Sequence, residues 1–421
     1  MKEIKYRQLV ITPSYVPIDS SVTLINAKII DLLETKNIDS VVLTVAPEDT
    51  DYYINKKLLD IFPSSRKVYR IRSYEKGGKW LVVARKHLKK ILPLLFYIPD
   101  FHFVWEILAI TKLRKISQEN KIDLIHSISA PYCSHIVGYF AKLILKKPWV
   151  CQLDDFWADQ PVEHFDRYRF LNYWLERRCF EKADIVLSTS REILDFASKR
   201  YPNEITQKFK FIPPCYNSSE YPKTFEKNSN KHTFTFLGIF YRNHREPHGL
   251  FNALDIVKKE RPDVYNKISV RLIGRNAGGW GGYIRENGLD DVVILQGQVD
   301  YKQSLIEMKK ATILIHFGFM QNKNEIDIHV SGKIFEYFGA QRLILGITTP
   351  KGPVAEIIKK ARGIVADYND PVNIAKAMVE IVDNHSISQL YNWKNAGDIE
   401  DNYSSAAVLA KHRKLLECLI G

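Results

Sequence analysis

The sequence lacks the features of a secreted, zinc-stabilised or membrane-spanning protein. Its 421 residues include five cysteines, which are scattered and never spaced as Cys-x-x-Cys. Neither a disulfide framework nor a structural zinc site is therefore expected. No apolar run reaches the roughly 18 residues that a spanning helix needs. Residues 1–13 also lack the apolar stretch and cleavage site of a signal peptide. We therefore expect a cytoplasmic protein.

Positive charge is concentrated in one segment of the chain. The net charge is +13, and residues 66–115 contain thirteen Lys and Arg but three acidic residues, with aromatic residues among them. Such a composition favours peripheral association with an anionic membrane surface, here the inner face of the cell membrane. A solvated basic face is the alternative. Nucleic-acid phosphates would also attract these cations, but no nucleic-acid-binding module accompanies the charge, so no nucleic acid is expected as a partner.

Short apolar runs alternate with helical patterns along the whole chain. This order predicts a doubly wound, mostly parallel sheet in each half. The predicted strands of the first half are Arg7–Thr12, Ser40–Val45, Leu124–Ser127, Trp149–Leu153 and Ile185–Thr189. Those of the second half are Phe234–Leu237, Val270–Ile273, Val292–Leu295, Ile313–His316, Leu343–Ile347 and Ile364–Ala366.

A proline-rich and polar linker separates the two halves. It predicts an N-terminal domain over 1–213 and a C-terminal domain over 214–403, with a final helix in 404–421 that packs back on the first domain. Two doubly wound domains joined in this way would face a central cleft lined by the carboxyl ends of their strands. A glycine-rich stretch within the second domain, Gly278–Gly282, lacks the spacing of a nucleotide loop and predicts a flexible turn.

The most informative stretch is residues 330–347. Ser331 and Gly332 open a short helix that presents Lys333 and Glu336 on adjacent turns. A helix N-terminus offers free N–H groups and partial positive charge to a phosphate, and Lys333 adds a point charge. Glu336 would accept hydrogen bonds from a ribose diol. The alternative is a surface helix with a weak Lys–Glu pair.

Several stretches, in chain order, resemble retaining GT-B glycosyltransferases, in particular glycosyltransferase family 4. They are Glu181-Lys-Ala-Asp-Ile-Val-Leu-Ser-Thr-Ser, Phe236-Leu-Gly-Ile-Phe, Ser331-Gly-Lys-Ile-Phe-Glu-Tyr with Leu343-Ile-Leu-Gly-Ile, and Tyr403-Ser-Ser. The resemblance implies an α/β fold of the GT-B type, with two Rossmann-like doubly wound domains facing a central cleft. It also implies metal-independent transfer of a hexose or modified hexose from a nucleotide-diphosphate donor, with no cofactor.

The resemblance assigns the donor-binding residues to the second domain. Glu336 would bind the ribose, and Ser331, Gly332 and Lys333 would lie near the phosphates. The loop after Gly238 would clamp the diphosphate through Arg242 and Arg245. Two guanidinium groups suit this role, because they form bidentate contacts and neutralise the leaving group without a metal.

The chain departs from the family at two places. Many members carry two glutamates eight positions apart, and Ile328 stands at the earlier position, with Glu325 and Asp327 just before it. After the strand at 149–153, where a histidine often follows, the chain reads Asp154-Asp155-Phe-Trp. Asp155 is therefore the first candidate for a catalytic carboxylate and Asp154 the second. An aspartate that caps a helix is the alternative.

The resemblance, together with the basic segment, implies a saccharide acceptor, in particular a lipid-linked one, in bacterial surface polysaccharide biosynthesis. Two other functions fit the same fold. A non-catalytic subunit would dock a partner without using a donor. A sugar-nucleotide epimerase would use the nucleotide site but no acceptor.

Overall fold

We describe a computed structural model of the protein. It describes residues 6–35, 37–50, 52–62, 66–74, 98–100, 102–158, 169–226, 230–241, 245–319 and 330–420. The chain divides into two compact units. The first comprises Met1–Pro214 with Val408–Gly421, and the second comprises Cys215–Ala407.

The first unit is built on a parallel sheet with the order β3-β2-β1-β4-β5-β6-β7. Its strands are β1 (Tyr6–Ile11), β2 (Ile38–Val45), β3 (Val68–Ile71), β4 (Leu124–Ile128), β5 (Trp149–Leu153), β6 (Ile185–Ser188) and β7 (Phe209–Phe211). Its helices are α1 (Ser21–Glu34), α2 (Leu58–Ile61), α3 (Phe103–Asn120), α4 (Cys133–Leu145), α5 (Arg169–Lys182), α6 (Arg191–Ser198) and α7 (Asn203–Thr206).

The second unit repeats this arrangement, with the order β10-β9-β8-β11-β12-β13 and parallel pairing throughout. Its strands are β8 (His232–Leu237), β9 (Ile268–Ile273), β10 (Val293–Gln296), β11 (Ile313–Phe317), β12 (Leu343–Thr348) and β13 (Ile364–Asp367). Its helices are α8 (His248–Glu260), α9 (Pro262–Tyr265), α10 (Gly281–Glu286), α11 (Tyr301–Lys310), α12 (Gly332–Ala340), α13 (Pro353–Lys360), α14 (Pro371–Asn384), α15 (Ile387–Tyr391) and α16 (Gly397–Tyr403). The last helix, α17 (Ser405–Ile420), lies in the first unit from Val408 onwards.

In both sheets the strand order reverses beside the first strand of the unit. The chain runs outward on one side from β1 to β3 and then returns to the other side at β4. The second sheet reverses in the same way between β8 and β11. Ligands of open parallel sheets bind at such switch points, outside the carboxyl ends of the strands.

One local prediction was wrong, and the sequence analysis missed two strands, β3 and β7. The stretch Gly278–Gly282 is helical: Ala277–Trp280 forms a 3₁₀ turn that leads directly into α10. The basic segment contains a strand, β3, that the sequence analysis missed. All four of its residues are half-buried, so its sequence gives a weak strand signal.

Several cations of the basic segment pair with acidic residues. The Arg66 side chain is 1% exposed and forms ion pairs with Asp31 and Glu34 of α1. Arg72 pairs with Asp49. These charges therefore support the fold of the first unit. The basic residues between positions 76 and 90 lie outside the described residues.

Candidate functional site

The loops that follow β8 and β11 meet at the switch point of the second sheet. The rings of Tyr241 and Phe319 lie with their centroids 5.9 Å apart. The Arg245 guanidinium lies 5.8 Å from each of these centroids. Its backbone nitrogen donates to the Tyr241 carbonyl oxygen at 2.8 Å, which closes the loop. Arg245, a predicted clamp residue, thus lies at this switch point. Its predicted partner Arg242 lies outside the described residues.

Helix α12 is fixed to this switch point by a tyrosine. The Tyr337 hydroxyl accepts a hydrogen bond from the Leu237 backbone nitrogen at 3.1 Å, at the end of β8. On another side of the helix, the Tyr221 hydroxyl donates to the Glu336 carbonyl oxygen at 2.5 Å. A Cβ at Gly339 would lie 2.5 Å from the Tyr221 ring, so glycine is needed there. These contacts set the position of the first turn of α12.

That first turn brings together the other predicted donor-binding residues. Ser331 caps the helix, and its side chain accepts from the Lys333 backbone nitrogen. Lys333 Nζ lies 2.7 Å from Glu336 Oε2. Glu336 is 8% exposed, and Phe335 and Tyr337 beside it are buried as well. Glu336 therefore does not form the exposed surface pair that was the alternative interpretation. The carboxylate is therefore mostly buried and lies next to a cation, where the low local dielectric strengthens the hydrogen bonds that it accepts.

The turn at Gly238, after β8, lies in close contact with Gly274, which follows β9. Gly274 has a φ of +144°, and a Cβ there would lie 1.7 Å from the Gly238 carbonyl oxygen. Only glycine permits this approach. Asn276 then donates to the Phe240 carbonyl oxygen at 3.0 Å. The loop that carries the predicted clamp is therefore braced at its start. Sequence reasoning assigned no role to Gly274, because its importance depends on a contact with a loop 36 residues away.

In the first unit, Asp154 follows β5 and belongs to a hydrogen-bonded network. Its Oδ1 accepts from Gln152 Nε2 at 2.9 Å and from Thr189 Oγ1 at 3.1 Å, and Oδ2 accepts from Asn26 at 3.5 Å. Burial raises the pKa of Asp154 to about 7; these hydrogen bonds lower it and the charge of Asp155 raises it. Near neutral pH this carboxyl is therefore partly protonated.

The network continues inward to His126. Its Nε2 lies 2.9 Å from Gln152 Oε1 and its Nδ1 lies 3.3 Å from Gln8 Oε1. Burial lowers the pKa of His126 to about 4, so the ring is neutral. Because its two nitrogens have partners, His126 acts as a structural part of the network that holds Asp154.

The loop around Asp155 is held from two sides. Tyr132 stacks on Trp157, with centroids 5.5 Å apart, and its hydroxyl donates to the Phe156 carbonyl oxygen at 2.5 Å. The buried carboxylate of Glu176 accepts from the Ala158 backbone nitrogen at 2.9 Å. Glu176 itself is held by Tyr201, at 2.6 Å. Asp155 is half-buried and directly precedes this anchored stretch.

The region of the family's earlier glutamate cannot be compared with the structure, because Glu325, Asp327 and Ile328 lie outside the described residues. Within the described part of the chain, no three His, Cys, Asp or Glu side chains are grouped as metal ligands. No helix in that same part is long and apolar enough to cross a membrane.

Comparisons with known proteins agree on a glycosyltransferase similarity. Residues 81–220 match the profile of Glycosyltransferase Family 4. An uncharacterized glycosyltransferase of Methanocaldococcus jannaschii is 22% identical over 319 residues, which are 71% of this chain and 76% of that relative.

Solved structures establish the fold. Alr3699/HepE from Anabaena, in complex with UDP and glucose, matches with a TM-score of 0.66 and 14% identity, over 98% of this chain and 100% of that one. A sucrose-phosphate synthase from Thermosynechococcus elongatus matches with a TM-score of 0.63 and 14% identity, over 99% of each chain. The chain therefore has two Rossmann-like units of the GT-B glycosyltransferase type, and the predicted fold class is confirmed.

Proposed function

We propose that this protein is a retaining, metal-independent glycosyltransferase that moves a hexose or modified hexose from a UDP-sugar to a saccharide acceptor. The observation that carries the proposal is the first turn of α12, where Ser331, Lys333 and Glu336 lie together beside the switch point of the second sheet. The choice of UDP is supported by the structural relative from Anabaena, which was solved with UDP and glucose.

The second unit has the groups that a sugar diphosphate requires. Arg245 and Lys333 would neutralise the diphosphate, and the charge that develops on it as the sugar leaves would be stabilised without a metal. The buried Glu336 carboxylate would accept hydrogen bonds from the ribose hydroxyls. In the reaction, the bond from the anomeric carbon to the phosphate oxygen breaks and a bond to the acceptor oxygen forms. The electron pair leaves with UDP, and the acceptor hydroxyl loses its proton.

The first unit supplies a carboxylate for the acceptor side. Asp155 would accept the acceptor proton or stabilise positive charge on the anomeric carbon. Asp154 has a supporting role in this scheme, because three hydrogen bonds occupy its carboxyl group. No cofactor is required, since the nucleotide sugar brings its own leaving group.

A lipid-linked acceptor at an anionic membrane surface, in surface polysaccharide assembly, completes the proposal. The support lies in the outward face of α5, where Phe170 is 68% and Trp174 is 55% exposed. Arg177 and Arg178 lie on the same face, at the next turn. A helix with exposed aromatic residues beside arginines suits the interface of an anionic bilayer.

The test is direct transfer with a purified acceptor fraction. The protein is incubated with UDP-glucose, UDP-galactose or UDP-N-acetylglucosamine and a lipid-linked saccharide extract, with and without EDTA. Mass spectrometry detects the product, and NMR of the new linkage gives its anomeric configuration. A glycoside of retained configuration, formed equally with EDTA, is expected.

The other outcomes contradict the proposal in different ways. An inverted linkage would contradict retention alone, and activity lost with EDTA would contradict metal independence alone. Interconversion of the UDP-sugars without a glycoside would indicate an epimerase. Absence of binding to any nucleotide sugar would favour a non-catalytic subunit.

A further inference from the structure

A buried histidine at the switch point of the second sheet lacks a hydrogen-bond partner. His316 is the last residue but one of β11 and is 4% exposed. Among the described residues, none forms a hydrogen bond with its Nε2. Native proteins leave few buried polar atoms unpaired, and each such atom costs free energy unless a ligand or water completes it. An apolar residue would fill this position at no such cost.

The alternation of side chains along the strands shows which way His316 faces. Ile313, Ile315 and Phe317 of β11 belong to one apolar core cluster of the second unit. Successive residues of a strand point to opposite faces of the sheet, so His316 points away from that cluster. On the neighbouring strand, Phe234 and Phe236 belong to the same cluster.

The pairing of β11 with β8 places His316 beside the donor helix. Leu314 pairs with Thr235 in a parallel register, and continuing that register by two residues places His316 level with Leu237. Leu237 is the residue whose backbone nitrogen binds the Tyr337 hydroxyl of α12. Thr235, on the same face, also has a buried hydroxyl without a partner among the described residues. Thr235 and His316 thus place two buried polar atoms, unpaired among the described residues, on the same face of the sheet.

The surroundings of His316 favour an anionic ligand. Burial and, to a lesser extent, the positive charge of Arg245 together lower the pKa of His316 to about 3. The ring is therefore neutral, and the guanidinium of Arg245 is close enough to act on it. A neutral imidazole with its proton on Nε2 donates a hydrogen bond without adding charge.

We propose that His316 donates a hydrogen bond from Nε2 to a phosphate oxygen of the bound nucleoside diphosphate, alongside Arg245 and the first turn of α12. The inference rests on the proposed function, since it assumes that this crevice holds the diphosphate of the donor. It adds a donor-binding residue that lies within a strand, outside the two loops that the sequence motifs identified. We assign a phosphate oxygen as the acceptor, and not a ribose hydroxyl, because the charge that acts on His316 is the cation of Arg245.

The test measures binding of UDP and of uridine by calorimetry to the parent protein and two variants. His316→Leu fills the space but cannot donate, and His316→Gln restores an N–H donor. The matched control is His232→Gln, at the start of β8, where the buried ring binds the His385 carbonyl oxygen at 2.8 Å. We expect His316→Leu to bind UDP at least ~10-fold more weakly with little change for uridine, as for loss of one hydrogen bond to a charged group.

The same measurements distinguish the inference from its alternatives. His316→Gln should recover part of the affinity for UDP, and His232→Gln should leave both affinities unchanged. Because the unpaired atom is removed, His316→Leu should melt no lower than the parent. Equal UDP affinity of His316→Leu and the parent would overturn the inference alone, as would an equal loss for UDP and uridine. A parent that binds neither UDP nor a UDP-sugar would overturn the proposed function as well.

Discussion

The Tyr337 hydroxyl accepts the backbone N–H of Leu237 at 3.1 Å, and this bond joins the donor helix to the strand beside it. The two residues are 100 positions apart in the chain. Both are buried. Glu336 is the neighbour of Tyr337 in α12, and Gly238 is the neighbour of Leu237 at the end of β8. This hydrogen bond therefore links the helix of the predicted ribose-binding residue directly to the start of the predicted phosphate loop.

Tyr337→Phe tests this relationship. The change keeps the ring but leaves the Leu237 N–H unpaired, which costs about 1–3 kcal/mol in a buried site. We expect a lower melting temperature and severalfold weaker binding of UDP, measured by calorimetry well below the melting transition. The control is Tyr391→Phe, which loses a bond to the Lys310 carbonyl oxygen at 3.1 Å away from the first turn of α12. Equal UDP binding by the two variants would show that the bond serves stability alone.

Glu336→Gln tests the ribose-binding assignment. The two side chains have nearly the same shape, so the buried position is kept without a cavity. The amide lacks the charge that strengthens hydrogen bonds from ribose hydroxyls, and it also loses the ion pair with Lys333. Hydrogen bonds to a charged group contribute about 1.5–3 kcal/mol. We therefore expect UDP to bind at least ~10-fold more weakly.

The matched control for this variant is Glu380→Gln, an exposed glutamate of α14 in the same unit. It should bind UDP as the parent does. A further comparison uses UDP and its 2′-deoxyribose analogue. If Glu336 binds the diol, the parent should prefer UDP and Glu336→Gln should lose most of that preference. An unchanged preference in the variant would assign Glu336 to the Lys333 pair alone.

The accuracy of the sequence-based prediction differs between the strands of the fold. β5 was predicted with its observed bounds, Trp149–Leu153, because its mostly apolar run is flanked by Pro148 and Asp154, and all five residues are buried. β3 was missed because its four residues include Tyr69 and Arg70 and none is fully buried. Its neighbours are remote in sequence: Tyr69 bonds to Glu119, 50 positions later.

The same contrast holds for the candidate site. Ser331, Lys333 and Glu336 are contiguous in sequence, so the pattern of a capped helix was enough to group them. His316 could not be recognised, because its significance depends on strand alternation and on Arg245 from another loop. The hydrogen-bond network of Asp154 could not be predicted either, since its donors come from three separate parts of the chain.

Asp154→Asn tests the protonation of the acceptor-side network. The pKa of Asp154 is raised to about 7 in the folded protein, from an ordinary value of 3.8. Between these two values the folded state binds a proton that the unfolded chain has released, so stability falls as the pH rises through this range. Asparagine removes this dependence. We expect the melting temperature of the variant, relative to the parent, to increase from pH 4 to pH 8.

The melting temperature of Asp154→Asn is compared with that of the parent at each pH, because other buried carboxyl groups, such as Glu176, contribute equally to both proteins. Asp195→Asn, an exposed residue of α6, serves as the control and should show no such trend. Transfer activity provides a second readout: Asp155→Asn should abolish it, whereas Asp154→Asn should retain a measurable rate. The reverse order of activities would make Asp154 the reacting carboxylate.

The double variant Phe170→Ser/Trp174→Ser tests the membrane surface of α5. Each exposed aromatic ring would enter the bilayer interface, and burying such a side chain contributes about 1.5–3 kcal/mol when complete. We expect the parent to float with vesicles of phosphatidylglycerol and phosphatidylcholine, and the variant to bind them at least ~10-fold more weakly. Melting temperature and UDP binding should not change, since both side chains lie on the surface of the first unit.

Tyr53→Ser is the matched control, because Tyr53 is 57% exposed in the same unit but lies outside α5. It should float like the parent. Arg177 and Arg178 are paired with Glu181, so the aromatic residues should account for more of the binding than charge does. Raising the salt concentration should then weaken the flotation of the parent by less than the two substitutions weaken it. A double variant that floats like the parent would exclude α5 as the membrane contact, and residues 75–97 would be tested next. A parent that does not float would contradict membrane association itself.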